Sequence, residues 1–432
     1  MRELRLVEVT TGPAVPGLLA ELGAALNGSG PALLPTLPGT RPLAAPAILT
    51  PPLDEPTDPT VAVLATSGSQ GRRRGVLLQA SALLASASAT HDRLGGPGQW
   101  LLALPVHHVA GLQVLVRSLV SRTRPAVVDL TDSFTAGGFA AAAAAMSGAR
   151  RYTALVPTQL ARLLDAGPAV RRELATFDAV LVGGAALPEA LRTRARDEGV
   201  RLVASYGMTE TCGGCVYDGR PLDGVRVWLD PDGRIHLSGP VLARGYLPAG
   251  SGSGRPGEPP TSPQAPGGFV ALDGFGVGPD GERRLRTDDA GSWQVPPSST
   301  EGPVARGDLG RVATADADGP RLRVHGRLDD AVITGGVTVS PAAVEEVLLS
   351  LDSVGQAVVV AVPDADWGRR LVAAVVTRPG IAAPSLEEVR RVVSERIEPA
   401  AAPRRLMVMA ELPLRGPGKP DRAALTRLAA DG

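Results

Sequence analysis

The chain has 432 residues, with 44 basic and 44 acidic side chains and a formal net charge of zero. That length allows two or more domains and a sizeable core, and the even charge balance offers neither a basic nucleic-acid face nor an acidic tail. Two cysteines, Cys212 and Cys215, make no disulfide framework. The N-terminus MRELRLVEVT lacks the apolar core of a signal peptide. No run reaches the roughly 18 apolar residues of a membrane span, so a soluble cytoplasmic protein is expected.

VAVLAT (61–66) reads as a buried strand that runs into the Gly-rich loop TSGSQGRRRGV. GVLLQA follows, then a helix expected to be capped by Ser81. Three further units alternate strand and helix. RYTALVP precedes TQLARLLDAG, FDAVLVGGAAL precedes PEALRTRARDEG with Pro188 in the first helical turn, and VRLVASYGMTE comes next. Short apolar strands separated by helices imply parallel crossovers, and in such sheets the loops beyond the strand ends lie side by side. Pro157-Thr158, GGAAL and YGMTE should therefore meet at one site. The stretch 248–268 is rich in Pro, Gly and Ser and reads as a flexible surface insertion. From about residue 330, PAAVEEVLLSL and SLEEVRRVVSERI read as helices, and AVVVAVP and RLVAAVV as strands, a compact α+β module.

The Gly-rich loop is not a Walker A loop, since it lacks the GK[ST] ending. Its backbone N–H groups and hydroxyls can still surround phosphate oxygens, with Arg72, Arg73 and Arg74 adding charge. Of the 44 basic residues only Lys419 is a lysine. A compact ammonium and a planar guanidinium are not interchangeable at a tight site, so the neighbourhood of Lys419 is of interest.

Five ordered motifs between residues 60 and 425 resemble the acyl-adenylate-forming superfamily of acyl-CoA ligases, luciferases and peptide-synthetase adenylation domains. They are TSGSQGRRRGV, LPVHHVAGL (104–112), YGMTET (206–211), GRLDDAVITGGVTVSPAAVEE (326–346) and LPLRGPGKPDR (412–422). The resemblance implies an α/β fold: a large N-terminal domain of helix-flanked β-sheets (1–328) and a small mobile α+β C-terminal domain (329–432). It also implies a two-step reaction with ATP, Mg2+ and CoA. A carboxylate attacks the ATP α-phosphate to give an acyl-adenylate and pyrophosphate, and a thiol then displaces AMP.

The resemblance further implies site roles. Lys419 matches the lysine that bridges carboxylate and phosphate, Thr209 should donate to the α-phosphate, and Glu210 matches the magnesium-binding glutamate. Thr66, Ser67, Gly68, Ser69 and Gly71, with the charge kept by Arg74, should cradle the outer phosphates. Gly183, Gly184, Ala185, Tyr206 and Gly207 should flank the adenine, and Arg327 should reach the ribose. Asp329 matches the interdomain hinge, Gly335 and Gly336 would line the pantetheine route, and His108 would wall the acyl pocket.

Gln70, Arg73 and Arg74 depart from the family loop, and His107 replaces its usual aromatic. The ribose aspartate has two candidates. Asp289 lies 38 residues before Arg327; Asp308 lies 19 before it, within the expected spacing, and is slightly preferred. GDLGRVATADADGPRLRVHGR reads as a complete hairpin leading to the hinge. The CGGC pair lacks the further ligands that zinc needs and is read as shaping the backbone beside the acyl pocket.

YGMTETCGGCVYDGRPLDGVRV resembles the same stretch in actinobacterial-type o-succinylbenzoate–CoA ligases of menaquinone biosynthesis. The implied substrate is a charged aromatic acid, suited by the small Gly213 and Gly214. Another aryl- or acyl-CoA ligase, a peptide-synthetase adenylation protein and a non-catalytic ATP-binding homologue are the alternatives. The partners expected are a small carboxylic acid, ATP and CoA, with no nucleic acid and no membrane span; a homo-oligomer is left open.

Overall fold

The computed structural model describes residues 2–9, 12, 15–38, 47–49, 53–67, 73–131, 133–247, 274–277, 281–294, 319–328, 330, 332–334, 337–364, 367–378, 380–415 and 419–430. Two large sheets carry most of the chain before residue 248. In the first, six strands run Gly245–Leu247, Arg73–Gln79, Thr60–Ser67, Ala32–Thr36, Arg2–Glu8 and Ala47–Leu49 across the sheet. In the second, seven run Arg220–Pro221, Gly213–Tyr217, Leu202–Met208, Ala179–Gly183, Arg151–Leu155, Gln99–Leu102 and Ala126–Val127. The last five of these pair in parallel, as their alternation with helices in the sequence requires.

Both faces of that sheet are covered, which explains its near-continuous apolar strands. Trp100 and Leu102 turn to one face, where the helices Ala80–Arg93 and Val109–Val120 pack between the two sheets in one core. Leu101 and Ala103 turn to the other, against the helices Pro157–Asp165 and Pro168–Ala175. A third, antiparallel sheet joins the first core through Val227, Ile235, Leu237 and Leu285.

After residue 337 the strands Val354–Asp364, Gly368–Thr377 and Arg405–Met409 form a separate sheet. One face buries Val359 and Ala373 under the helices Pro341–Leu349 and Leu386–Arg396. The other buries Val360 and Ala374 under Arg422–Ala430. This segment therefore carries its own hydrophobic core, as the α+β reading requires.

Two local expectations change. The helix after the Gly-rich hairpin starts at Ala80, with Gln79 at its N-cap. The Ser81 N–H and hydroxyl go instead to Asp58, at 2.9 and 2.8 Å. Pro188 is the N-cap of Glu189–Asp197, extended at ψ 140°, and not a residue of its first turn. The strand Arg321–Arg327 pairs with the long strand Arg283–Gln294. The first arm of the hairpin expected from the sequence, at 308–318, lies outside the described residues, as do the 248–268 insertion, Asp329, Gly335 and Gly336.

Candidate active site

Three parallel strand ends meet, as their order implies. Leu155 pairs with Val182 and Ser205 with Gly183, so Pro157-Thr158, Gly184-Ala185 and Tyr206 leave the sheet level with one another. Gly183 is needed there for packing: a Cβ would lie 2.5 Å from the Ser205 carbonyl oxygen. The following residue, Gly184, turns the chain at φ +78°.

A register shift between Tyr206 and Gly207 bends the next strand out of its ladder, as a bulge does. Gly207 makes this approach feasible, since a Cβ would sit 2.1 Å from the Gly213 oxygen. The Tyr206 phenol then donates to Asp289 Oδ2 at 2.8 Å. Burial, and next the Asp289 charge, hold that phenol well above its ordinary range. The Asp289 amide donates to Thr287 Oγ1 at 3.1 Å, and Asp289 stands directly opposite Arg327 across the antiparallel pair. Arg327 reaches Asp288 at 3.2 Å. Asp308 lies outside the described residues.

Thr209–Thr211 forms one 3-10 turn beyond the bulge. The Glu210 side chain is held there by the Tyr246 hydroxyl, which donates to Oε1 at 2.9 Å, and its carbonyl accepts from Ala243 N–H at 2.8 Å. Burial raises the Glu210 carboxyl above its ordinary range; Tyr246, Arg74 and Arg327 pull it back only in part. Arg74 lies over the Tyr246 ring, 5.4 Å from its centroid. Arg74 also pairs with Thr66, and Arg73 with Ser67, at the foot of the Gly-rich hairpin. The tip, including Gly68, Ser69 and Gly71, lies outside the described residues. The buried Glu210 carboxyl, the Tyr246 phenol and the Arg74 guanidinium thus gather at the base of that hairpin. Such a cluster complements a polyphosphate that brings a cation with it.

His108 is the N-cap of Val109–Val120 without a side-chain cap bond, and its ring lies 4.2 Å from that of His107. His107, Val106, Leu37 and Val128 line an apolar cavity of about 230 Å³, and His108 is not among its lining residues. Lys419 pairs with Arg415 in a short hairpin, and Arg422, three residues on, reaches Glu345 at 2.7 Å.

Cys212 and Cys215 are both wholly buried. Burial lifts both thiols, Cys215 up to about 12, so neither has thiolate character near neutrality. Their segment shapes backbone: Cys212 is left-handed at φ 50° and Gly213 follows at φ +102°. The room at Gly214, expected to open the acyl pocket, is taken by Ser205, whose Oγ would lie 2.0 Å from a Cβ there.

Tyr246, Tyr217 and Arg117 were not singled out from the sequence. Arg117 is 3% exposed, over the Trp100 ring at 4.8 Å and near the hydroxyls of Thr90 (3.2 Å) and Tyr217 (3.4 Å). No carboxylate contacts it among the described residues. A signal for Tyr246 was present: the chain has only four tyrosines, and two of them, Tyr206 and Tyr246, stand in this site.

Residues 32–247 match the family model described as AMP-binding enzyme, and residues 343–419 match the AMP-binding enzyme C-terminal domain. A probable 2-succinylbenzoate–CoA ligase of Mycobacterium tuberculosis is 40% identical over 98% of both chains. Among solved structures, a variant of Escherichia coli MenE with bound OSB-AMS superposes with a TM-score of 0.68 at 24% identity, over 99% of this chain and 87% of that one. The o-succinylbenzoate CoA synthetase of Bacillus subtilis, in complex with its acyl-adenylate intermediate, does so with a TM-score of 0.61 at 22% identity, over 94% and 80%. At these identities the structures speak for the fold.

Proposed function

Because the chain belongs to the AMP-binding enzyme family, we propose that it is an AMP-forming acid–CoA ligase that activates o-succinylbenzoate in the cytoplasm for menaquinone biosynthesis. In the first step an oxygen of the succinyl carboxylate bonds to the α-phosphorus of ATP and the bond to pyrophosphate breaks. In the second the CoA sulfur bonds to the acyl carbon, AMP leaves with the bonding pair, and the thiol proton goes to solvent.

The observation that carries the reading is the gathering of Glu210, Tyr246, Arg74, Arg327, Asp289 and Tyr206 around one hairpin foot. Charge accumulates on the phosphates in the first step, and fixed cations and donors stabilise it. In this reading Thr66, Ser67, Gly68, Ser69, Gly71 and Arg74 hold the outer phosphates, and Thr209 and Lys419 serve the α-phosphate. Gly183, Gly184, Ala185, Tyr206 and Gly207 hold the adenine. The ribose goes to Asp289, with Arg327 opposite. The Tyr206–Asp289 bond ties base and sugar groups together, and this favours Asp289 over Asp308.

Glu210 fits a magnesium ion of the usual kind, held by one carboxylate together with substrate phosphates. A bound cation would supply charge neutralisation at those phosphates, and it would also relieve the cost of burying the Glu210 charge. The domains divide at 328/329 in this reading. Asp329 is the hinge that withdraws Lys419 after the first step, and Gly335 and Gly336 then border the CoA route.

The experiment is pyrophosphate and AMP release with ATP, Mg2+ and CoA, across o-succinylbenzoate, benzoate, a medium-chain fatty acid and several amino acids. Release with o-succinylbenzoate alone, together with its CoA thioester, is expected. Release with another acid only would overturn the substrate, and release with none would overturn the activity.

A further inference from the structure

We infer that Ser86 and Gln113 are positioning residues that clamp the Thr209–Glu210 turn through one backbone oxygen, the carbonyl of Cys212. The inference rests on the reading above that this turn serves ATP.

Ser86 Oγ donates to the Cys212 oxygen at 3.0 Å and Gln113 Nε2 donates to the same oxygen at 2.8 Å. Ser86 is fully buried and Gln113 is 1% exposed, so water does not compete for that carbonyl. A buried carbonyl needs a partner. Here it has two, from two different helices, and neither donor belongs to the sheet that the turn terminates.

The residue they hold is one that would otherwise relax. Cys212 sits at φ 50°, ψ 37°, a left-handed conformation that a non-glycine side chain adopts at a cost. The remaining bonds close the turn on itself and onto the adjoining strand, where Gly213 pairs with Met208. Cys212 N–H donates to the Thr209 oxygen at 3.0 Å. The Thr211 hydroxyl accepts from Met208 N–H at 2.9 Å and donates to the Gly213 oxygen at 2.7 Å. The two side chains anchor the Cys212 carbonyl to the helices Ala80–Arg93 and Val109–Val120.

Their placement links three segments of the site. Ser86 lies on Ala80–Arg93, the helix that directly continues the strand bearing Arg74. Gln113 lies on Val109–Val120, which begins at the His108 cap. The Cys212 oxygen is where the hairpin foot, the His108 segment and the Glu210 turn are fastened to one another. Without the clamp the peptide can leave its left-handed state, and Thr209 and Glu210 lose their fixed distance from Arg74. This is support by a locked surrounding shell, which a site that must meet developing charge requires.

The test uses the full chain with Ser86→Ala, near-isosteric Gln113→Met, and the double variant. ATP binding is measured calorimetrically with Mg2+, and thioester formation is measured from supplied acyl-adenylate. Each single variant should weaken ATP binding about five-fold, the worth of one ordinary hydrogen bond. The double should lose more than the product, roughly 25-fold, because one donor still holds the carbonyl in each single. Thioester formation at saturating adenylate should stay within about two-fold of wild type.

ATP binding unchanged in all three variants overturns the inference. So does a loss shared equally by thioester formation, which signals less folded enzyme. If the double does not fold, the singles decide. Glu210→Gln is run beside them. If it weakens ATP binding and the clamp variants do not, the clamp alone fails; if it too has no effect, the reading of the turn as an ATP site fails with it.

Discussion

Replacing Asp289 by alanine should remove about a hundred-fold or more of the ATP affinity. In the structure its carboxylate accepts the Tyr206 phenol at 2.8 Å and stands opposite Arg327. The proposed further partners are the two ribose hydroxyls. A hydrogen bond to a charged group contributes about 1.5–3 kcal/mol, so losing two costs at least about 3 kcal/mol, or more than two decades in the dissociation constant. Asp289→Asn keeps an acceptor for Tyr206 and loses the charge, so it should cost nearer ten-fold. Calorimetric titration with ATP and with 2′,3′-dideoxy-ATP closes a double-mutant cycle. Wild type should discriminate strongly between the two nucleotides, and Asp289→Ala should scarcely do so. Asp308→Ala should behave as wild type. If Asp289→Ala retains full discrimination while Asp308→Ala loses it, the ribose assignment is wrong and the closer spacing to Arg327 was the better guide.

Lys419→Ala should abolish ATP–pyrophosphate exchange and leave thioester formation from supplied adenylate largely intact; Asp329→Pro should do the converse, and equal loss in both half-reactions for either variant would sink the two-position mechanism. Glu210→Gln should stabilise the nucleotide-free protein at neutral pH. Burial raises the folded-state carboxyl, so the folded state holds its proton more tightly than the unfolded one, and stability falls as pH climbs from the ordinary carboxylate range through the raised value. The difference in Tm should vanish at pH values below that range, and a Tm gap that persists there would contradict the burial account. The two thiols should resist a disulfide reagent in the folded protein and react fully on unfolding, since both are wholly buried; fast reaction of either in the native state would reopen a redox role for CGGC.

Much of the fold was legible because its signals are contiguous. The apolar strands at 61–66 and 179–183 and their following helices could be read from runs of a few residues each. Element boundaries were less secure where a side chain had a tertiary alternative. Ser81 has the chemistry of a helix cap, but Asp58, 23 residues earlier, accepts both its N–H and its hydroxyl. Likewise the smallness of Gly214 suggested an open pocket, whereas it makes room for Ser205 on the neighbouring strand.

The site divides along the same line. Glu210, Tyr206 and Arg327 sit inside short motifs and could be picked out residue by residue. The pairings could not, because each contact crosses a long stretch of chain: 36 residues from Glu210 to Tyr246, 83 from Tyr206 to Asp289, 99 and 126 from Cys212 to Gln113 and Ser86. Asp289 shows why spacing misleads. Antiparallel pairing puts it directly against Arg327 however many residues the connection between the two strands contains. Loop length costs little, growing only with its logarithm, so an insertion can change a motif's spacing without moving its ends. What survives such insertions is scarcity. In a chain with one lysine and four tyrosines, rare side chains mark positions where the common ones would not serve, and Tyr246 could have been suspected on the ground that drew attention to Lys419.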